Sequence, residues 1–229
     1  MILAGTLINA AAVIVGSLIG LAFHAKIPTR FLKTIFQGIA LFTILLGVNM
    51  GLKSNAFLLI VFSLISGGLV GEVLQLESKV DLLSEKLKHR IKSKNAKFSE
   101  GLTTSFLLFC MGSMTILGAF EEGLGKAPNL LLAKSTMDGF SSIALSASLG
   151  IGVMFSAIPL LIYQGLLTLF AGYLSSYLNQ VVIDNLTSVG GILLIGLGIN
   201  LLEIKKIKIM NLLPSLIFII IFSLIAIRF

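Results

Sequence analysis

The chain has 229 residues, of which 56% are hydrophobic and only 12% charged, and its mean hydropathy is +1.05; a soluble domain carries roughly 25% charged residues, so most of this chain does not face water. The formal charge of +7 does not indicate a nucleic-acid partner, because the basic residues stand between apolar runs, where they report membrane topology and contact with anionic lipid. Cys110, the single cysteine, lies inside an apolar stretch, which excludes a disulfide within one chain and reads as a small buried residue.

Crossing a hydrocarbon core of about 30 Å takes about 20 apolar residues in a helix. About eight stretches qualify, at 2–23, 31–52, 56–75, 102–122, 131–150, 152–177, 185–202 and 209–227. The expected fold is all-α, a polytopic helical membrane protein whose residues 1–229 form a single transmembrane domain. The first stretch has no basic leader and is long enough to span, so it is read as a membrane helix and not a signal peptide. Gly16-x-x-x-Gly20 and Gly67-x-x-x-Gly71 read as packing faces.

Residues 1–75 form a first three-helix unit, followed by a polar segment over 76–100. There Leu76, Val80, Leu83, Leu87 and Ile91 recur at helical spacing, with Glu77, Asp81 and Glu85 ahead of the basic residues, as the helix dipole prefers. This reads as an amphipathic helix on the cytoplasmic leaflet whose Lys and Arg reach anionic headgroups. A solvated connecting helix is the other reading.

Residues 101–150 form a central pair rich in Gly, Ser and Thr, in which Gly-x-x-(Ser/Thr)-Ile occurs at Gly112 and Gly139. Small and hydroxyl residues let membrane helices approach closely, and their oxygens serve as ligands where a helix breaks. Residues 151–229 form a second three-helix unit. Leu46-Gly47-Val48-Asn49 and Leu197-Gly198-Ile199-Asn200 end matching stretches, each followed by a Lys-bearing loop and a closing apolar helix. With two crossings between them, the units make inverted three-helix repeats flanking the central pair, an arrangement that suits alternating access. A Gly-x-Asn helix ending is also ordinary C-terminal chemistry.

An N-terminus outside puts Lys26, Arg30, Lys33, seven basic residues of the 76–100 loop, and Lys205, Lys206 and Lys208 inside, which is 13 of the 17 Lys and Arg. The positive-inside rule therefore puts both termini outside. Two re-entrant hairpins in place of the fourth and fifth crossings would leave this parity unchanged.

Asp138 is the residue that stands out, because a carboxylate within a span is costly and is normally paired or functional. Lys134, four residues earlier, shares its helix face and is placed to pair with it. The candidate ion- or substrate-binding set is Asp138 and Lys134, with Ser113, Thr115, Ser141 and Ser142 as oxygen ligands and Asn49 and Asn200 as supports related by the repeat. Glu121 and Glu122 form a candidate acidic vestibule, or an ordinary wet loop. Asn9 and Gln164 are further polar residues within spans, where an amide usually bonds helix to helix. His24 and His89 both fall at or outside the inner interface, which disfavours an intramembrane enzyme or a His-rich metal site. No catalytic residue, metal or cofactor is expected.

The blocks from Phe109 to Gly123 and from Lys134 to Ser142, together with Gly5-Thr-Leu-Ile-Asn9, Tyr163-Gln-Gly165 and the closing Gly198-Ile-Asn200, resemble the bacterial YdfK/YqgA-type membrane proteins. The likeness runs in order along nearly the whole chain. It implies a multi-pass protein of the bacterial inner membrane and brings no substrate, cofactor or catalytic residue with it. The functional expectation is a small secondary transporter or channel for an inorganic ion or small polar solute. The alternative is a non-transporting scaffold or sensor acting through the basic 76–100 loop. Homo-oligomers fit either.

Overall fold

The computed structural model describes residues 3–24, 29–90, 92–93, 95–110, 112–174 and 179–228. Lys26, Ile91 and Lys94 lie outside the described residues, as do the side chains of Arg30, Lys33, Ser113 and Arg228. The described residues are helical without a strand. The helices are α1 (Ala4–His24), α2 (Thr29–Gly51), α3 (Phe57–Leu74), α4 (Leu76–Arg90), α5 (Phe98–Cys110), α6 (Ser113–Gly123) and α7 (Asn129–Leu149), followed by α8 (Gly152–Phe155), α9 (Ala157–Leu169), α10 (Ala171–Leu174), α11 (Gln180–Leu201), α12 (Ile209–Leu212) and α13 (Ser215–Arg228).

Helix lies at every one of the eight expected positions, but not all of it is built alike. Five stretches are by themselves long and apolar enough to cross a bilayer: Ala4–Phe23, Phe57–Leu74, Gly152–Leu169, Gln180–Leu201 and Ile209–Ala226. A sixth arises if α5 and α6, bent by 64° at their junction, count as one broken span. The stretch expected at 102–122, read as either a full crossing or a re-entrant hairpin, begins earlier, at Phe98, and is two helices with a bend between Cys110 and Ser113. α7 has the length, but Lys134, Asp138 and its hydroxyl residues lower its hydropathy. In α2 the described apolar part is the short run Gln37–Gly51.

The chain forms two compact units, each assembled from two separate stretches. Unit 1 comprises Met1–Phe36 and Ser84–Ser175, and unit 2 comprises Gln37–Leu83 and Ser176–Phe229. In unit 1, α1 and α7 run side by side in the same direction. A Cβ on Gly5 would press on Leu131, one on Gly16 would collide with the Gly139 carbonyl, and one on Gly20 with the Ile143 carbonyl. The small residues are what allow this approach.

Unit 2 is centred on α11, whose residues are largely buried and whose first turn is capped by Asn179 accepting from the Val182 amide at 3.0 Å. Gly47 of α2 and Gly191 of α11 meet reciprocally, each Cβ position blocked by the other's carbonyl oxygen, and Gly198 meets Ala40 and Ile44 one to two turns away. α3 packs on α12 and α13 in the same manner, through Gly67 at Ser215 and Gly71 at Asn211. α12 stops before Pro214, which cannot supply an amide hydrogen to a continuing helix.

Each unit turns apolar residues outward. Val73 is 83% exposed, Phe140 75%, Leu58 73% and Ile162 59%, while Asn9, Ser17, Ser142, Gln164 and Ser188 are wholly buried. Such outer surfaces are untenable in water and are the natural boundary with lipid tails. In α4 the acidic-first, basic-last order is present, Leu83 of the expected apolar face points outward together with Leu82, and the polar Ser84 is buried.

Candidate functional site

The polar interior of unit 1 is built from periodic positions on three helices. On α1, Thr6, Asn9 and Ser17 share one face, and at 1.5 Å per residue they extend over about 16 Å. α7 contributes Lys134, Asp138, Ser142 and Ser146 at four-residue intervals, and α9 contributes Gln164 and Thr168.

At its centre Lys134 Nζ lies 2.6 Å from Asp138 Oδ2, with each residue only 6% exposed. The ammonium also stands over the Phe109 ring, 5.9 Å from its centroid, a favourable placement for a cation. Asn9 Nδ2 donates to Asp138 Oδ2 at 3.1 Å and to Gln164 Oε1 at 3.0 Å. The opposite ends of the same two amides, Asn9 Oδ1 and Gln164 Nε2, are buried without a partner among the described residues. An acceptor and a donor, each costly to leave unpaired in a dry interior, therefore remain beside the ion pair. The buried hydroxyls of Ser17, Thr104, Ser105 and Ser146 are likewise unpaired among the described residues.

Thr115 lies at the helix break. Its Oγ1 donates to the Phe109 carbonyl at 2.8 Å, satisfying a backbone acceptor near the end of α5, where the helical ladder stops. Hydroxyl side chains are a standard means of satisfying backbone freed by a broken membrane helix. Ser142 Oγ donates to the Asp138 carbonyl at 2.7 Å, and Ser141 is half-buried.

Glu121 and Glu122 each hold a helix N-terminus. Glu122 is buried and accepts from the Gly5 amide at 2.5 Å, the Thr6 amide at 3.3 Å and Thr6 Oγ1 at 3.0 Å. Thr6 Oγ1 and Thr168 Oγ1 are 3.4 Å apart. Glu121 Oε2 accepts from the Leu130 amide at 3.3 Å in the first turn of α7. Carboxylates in these positions pair with the unsatisfied amides and the positive end of the helix dipole.

Of the two supporting asparagines, Asn49 is exposed. Asn200 closes its own loop, its Nδ2 donating to the Ile207 carbonyl at 2.8 Å and its Oδ1 accepting the Ile207 amide at 2.7 Å. The structure thus unites Lys134 and Asp138 with Asn9 and Gln164, two residues that the sequence marks only as polar within spans. Thr115 and Ser142 serve nearby backbone.

Unit 2 holds a polar cluster that sequence reading missed. Ser54 Oγ bonds Asn185 Oδ1, Ser188 Oγ accepts from the Ser54 amide at 2.9 Å, and Asn185 Nδ2 donates to Ser223 Oγ at 2.8 Å. These bonds anchor the α2–α3 link to α11 and α13. The only sequence signal was Asn185 at the start of an expected span.

The family described as "Protein of unknown function (DUF554)" matches residues 4–224. The chain is 36% identical over 216 residues to "Uncharacterized membrane protein YdfK" of Bacillus subtilis (strain 168), covering 93% of this chain and 92% of that protein. It is 30% identical over 217 residues to "Uncharacterized protein YqgA" of Escherichia coli (strain K12), again covering 93% and 92%. No solved structure gives a significant match. A chain whose described residues are helical, with several apolar spans and a buried charged pair, and which these relatives match over 93% of its length, is a membrane protein, and it belongs to the DUF554 family.

Proposed function

We propose that this protein is a small secondary transporter or channel for an inorganic ion or small polar solute, with its binding locus in the interior of unit 1. The observation that carries the reading is the buried Lys134–Asp138 pair flanked by the unpaired Asn9 Oδ1 and Gln164 Nε2. An intramembrane ion pair is costly to maintain, and the free acceptor and donor beside it suit a hydrated ion or a small solute. A cation or donor would meet Asn9 Oδ1, and an anion or acceptor would meet Gln164 Nε2. The pair is closed off in this conformation, so access requires movement of the helices around it. The apolar groove of about 310 Å³ in unit 1 is lined by Tyr163, Leu166, Leu167, Phe170 and Tyr173, away from the pair.

Inverted repeats support the same reading. Counterpart helices pack antiparallel on one another: α1 on α9 within unit 1, and α2 on α11 and α3 on α12–α13 within unit 2. Mutual pairing of equivalent helices is what a two-fold axis in the membrane plane produces. In this account about eight segments enter the bilayer of the bacterial inner membrane, both termini lie outside, and the basic loops face the cytoplasm.

Flux into proteoliposomes loaded against a panel of inorganic ions and small zwitterions tests the proposal. A solute whose flux is lost in Asp138→Asn supports it, and unchanged flux removes Asp138 from the pathway. A scaffold or sensor role is favoured by one feature, the outward Leu82 and Leu83 on α4 beside Lys79 and Lys86, a face suited to anionic lipid. That reading requires function to survive Asp138→Asn and to fail when the loop 75–99 is deleted.

A further inference from the structure

Two candidate spans, Phe57–Leu74 and Ile209–Ala226, have neighbouring ends in unit 2, and residues of their last turns and just beyond them line a half-open polar cavity of about 330 Å³. Its frame is held by reciprocal bonds. Lys208 Nζ and Asn211 Nδ2 donate to the two oxygens of Glu72 at 2.7 and 2.6 Å. Glu77 Oε2 accepts the Met210 amide at 3.0 Å, while the Glu77 amide donates to Asn211 Oδ1 at 2.7 Å. Gln75, which also lines the cavity, turns the chain from α3 into α4 through a left-handed φ of 51°. A non-glycine residue held there is a local strain that the surrounding bonds maintain.

Asp81 and Lys206 line the same cavity, and neither makes a hydrogen bond or ion pair among the described residues. With Glu72 neutralised by Lys208, the charges left to a ligand are the carboxylates of Glu77 and Asp81 and the ammonium of Lys206. This combination suits neither a simple anion nor an apolar guest; it complements a group bearing both a cation and an anion. Burial, with a smaller push from Asp81, raises the Glu77 carboxyl above its ordinary value; the Met210 amide, Lys206 and Lys208 offset this in part, and a further cation beside it would favour the charged form.

We infer that this cavity binds a phosphate diester carrying a primary ammonium, the headgroup of an aminophospholipid. The ammonium donates to Asp81 and Glu77, and the phosphate meets Lys206. The cavity sits where headgroups lie, at the level where two spans end. Val73 and Leu69, 83% and 65% exposed on the last turns of α3, continue from it as an apolar track for acyl chains. The bilayer is therefore the source of the ligand. This site is distinct from the polar interior of unit 1 and stands or falls independently of transport.

The test uses the full chain in nanodiscs of equal parts phosphatidylcholine and phosphatidylethanolamine, with retained lipid counted by native mass spectrometry. Both lipids carry the phosphate, but only phosphatidylethanolamine has ammonium hydrogens to donate. Retention of phosphatidylethanolamine should exceed that of phosphatidylcholine about tenfold, the scale of one hydrogen bond to a charged group. Asp81→Asn should lower the ratio, and Asp81→Asn combined with Glu77→Gln should bring it near one. Lys206→Ala should reduce retention of both lipids and leave the ratio unchanged. Both residues are exposed, so the fold is expected to survive, and thermal unfolding checks this. Free glycerophosphoethanolamine should fail to displace the retained lipid; displacement would overturn the assignment to a bilayer lipid and make a soluble headgroup the ligand. Equal retention of the two lipids by the wild type, or a preference that survives Asp81→Asn combined with Glu77→Gln, overturns the site.

Discussion

Asn9 on α1 donates from one nitrogen to Asp138 on α7 and to Gln164 on α9, joining three helices around a charge buried among them. Asp138 Oδ2 accepts from Asn9 at 3.1 Å and from Lys134 at 2.6 Å, so the carboxylate is held from the preceding turn of its own helix and from a neighbouring helix. The arrangement fixes the charge in place without satisfying every group near it, since Asn9 Oδ1 and Gln164 Nε2 stay unpaired. A purely structural network would be expected to close those ends.

The caps at the N-termini of α1 and α7 are expected to differ in strength. Glu122 makes three bonds to the first turn of α1 and is buried, whereas Glu121 makes one longer bond to α7. Glu122→Ala should destabilise the protein by about 2 kcal/mol and Glu121→Ala by about 0.5–1 kcal/mol, the span measured for lost helix caps. Thermal unfolding of the two variants in detergent gives the comparison.

Much of the helical plan was legible in the sequence because apolar runs of span length leave few alternatives. The Lys134–Asp138 pair was legible too, since four-residue spacing on a helix puts the two side chains on one face. What escaped was whatever depended on tertiary neighbours. Glu122 looked like a wet loop residue because nothing local shows that α1 begins beside it. Asn200 looked like the counterpart of Asn49 because the two tetrapeptides match, yet its amide is taken by Ile207, a contact set by the course of the following loop. Gly112, Ser113 and Thr115 mark the stretch after Cys110 as one where a helix can break, but nothing local decides between a break and a continuous span.

The glycines predict opposite outcomes according to what surrounds them. Gly16 faces the Gly139 carbonyl so closely that a Cβ has no room, whereas Gly38 on α2 has nothing within 4 Å. Gly16→Ala is expected to destabilise by about 1–3 kcal/mol through overpacking. Gly38→Ala is expected to stabilise by up to about 1 kcal/mol, the helix-propensity difference between the two residues. Unfolding midpoints in one detergent distinguish the two signs.

Glu77 ties stability to pH. Burial raises its carboxyl above the ordinary value of 4.5, so the folded protein holds this proton more tightly than the unfolded chain does. Its contribution to stability is fully present below about that value and is lost as pH rises through the folded pKa. Glu77→Gln keeps an acceptor for the Met210 amide and removes the titration. Melting temperatures from pH 4 upward should therefore fall less steeply with pH in Glu77→Gln than in the wild type.

If the Lys134–Asp138 pair serves passage through the bilayer and not stability, its two charges are dispensable to the fold and required for flux. Removing one partner, as in Asp138→Leu, should destabilise by about 3–5 kcal/mol because it strands a buried ammonium, whereas replacing both charges by apolar residues of similar size is often neutral or stabilising. The most direct measurement is therefore on Lys134→Met/Asp138→Leu, comparing its unfolding midpoint and its proteoliposome flux with those of the wild type. The expected result is a midpoint at or above wild type together with loss of flux. Full flux in a protein that has lost both charges would contradict it.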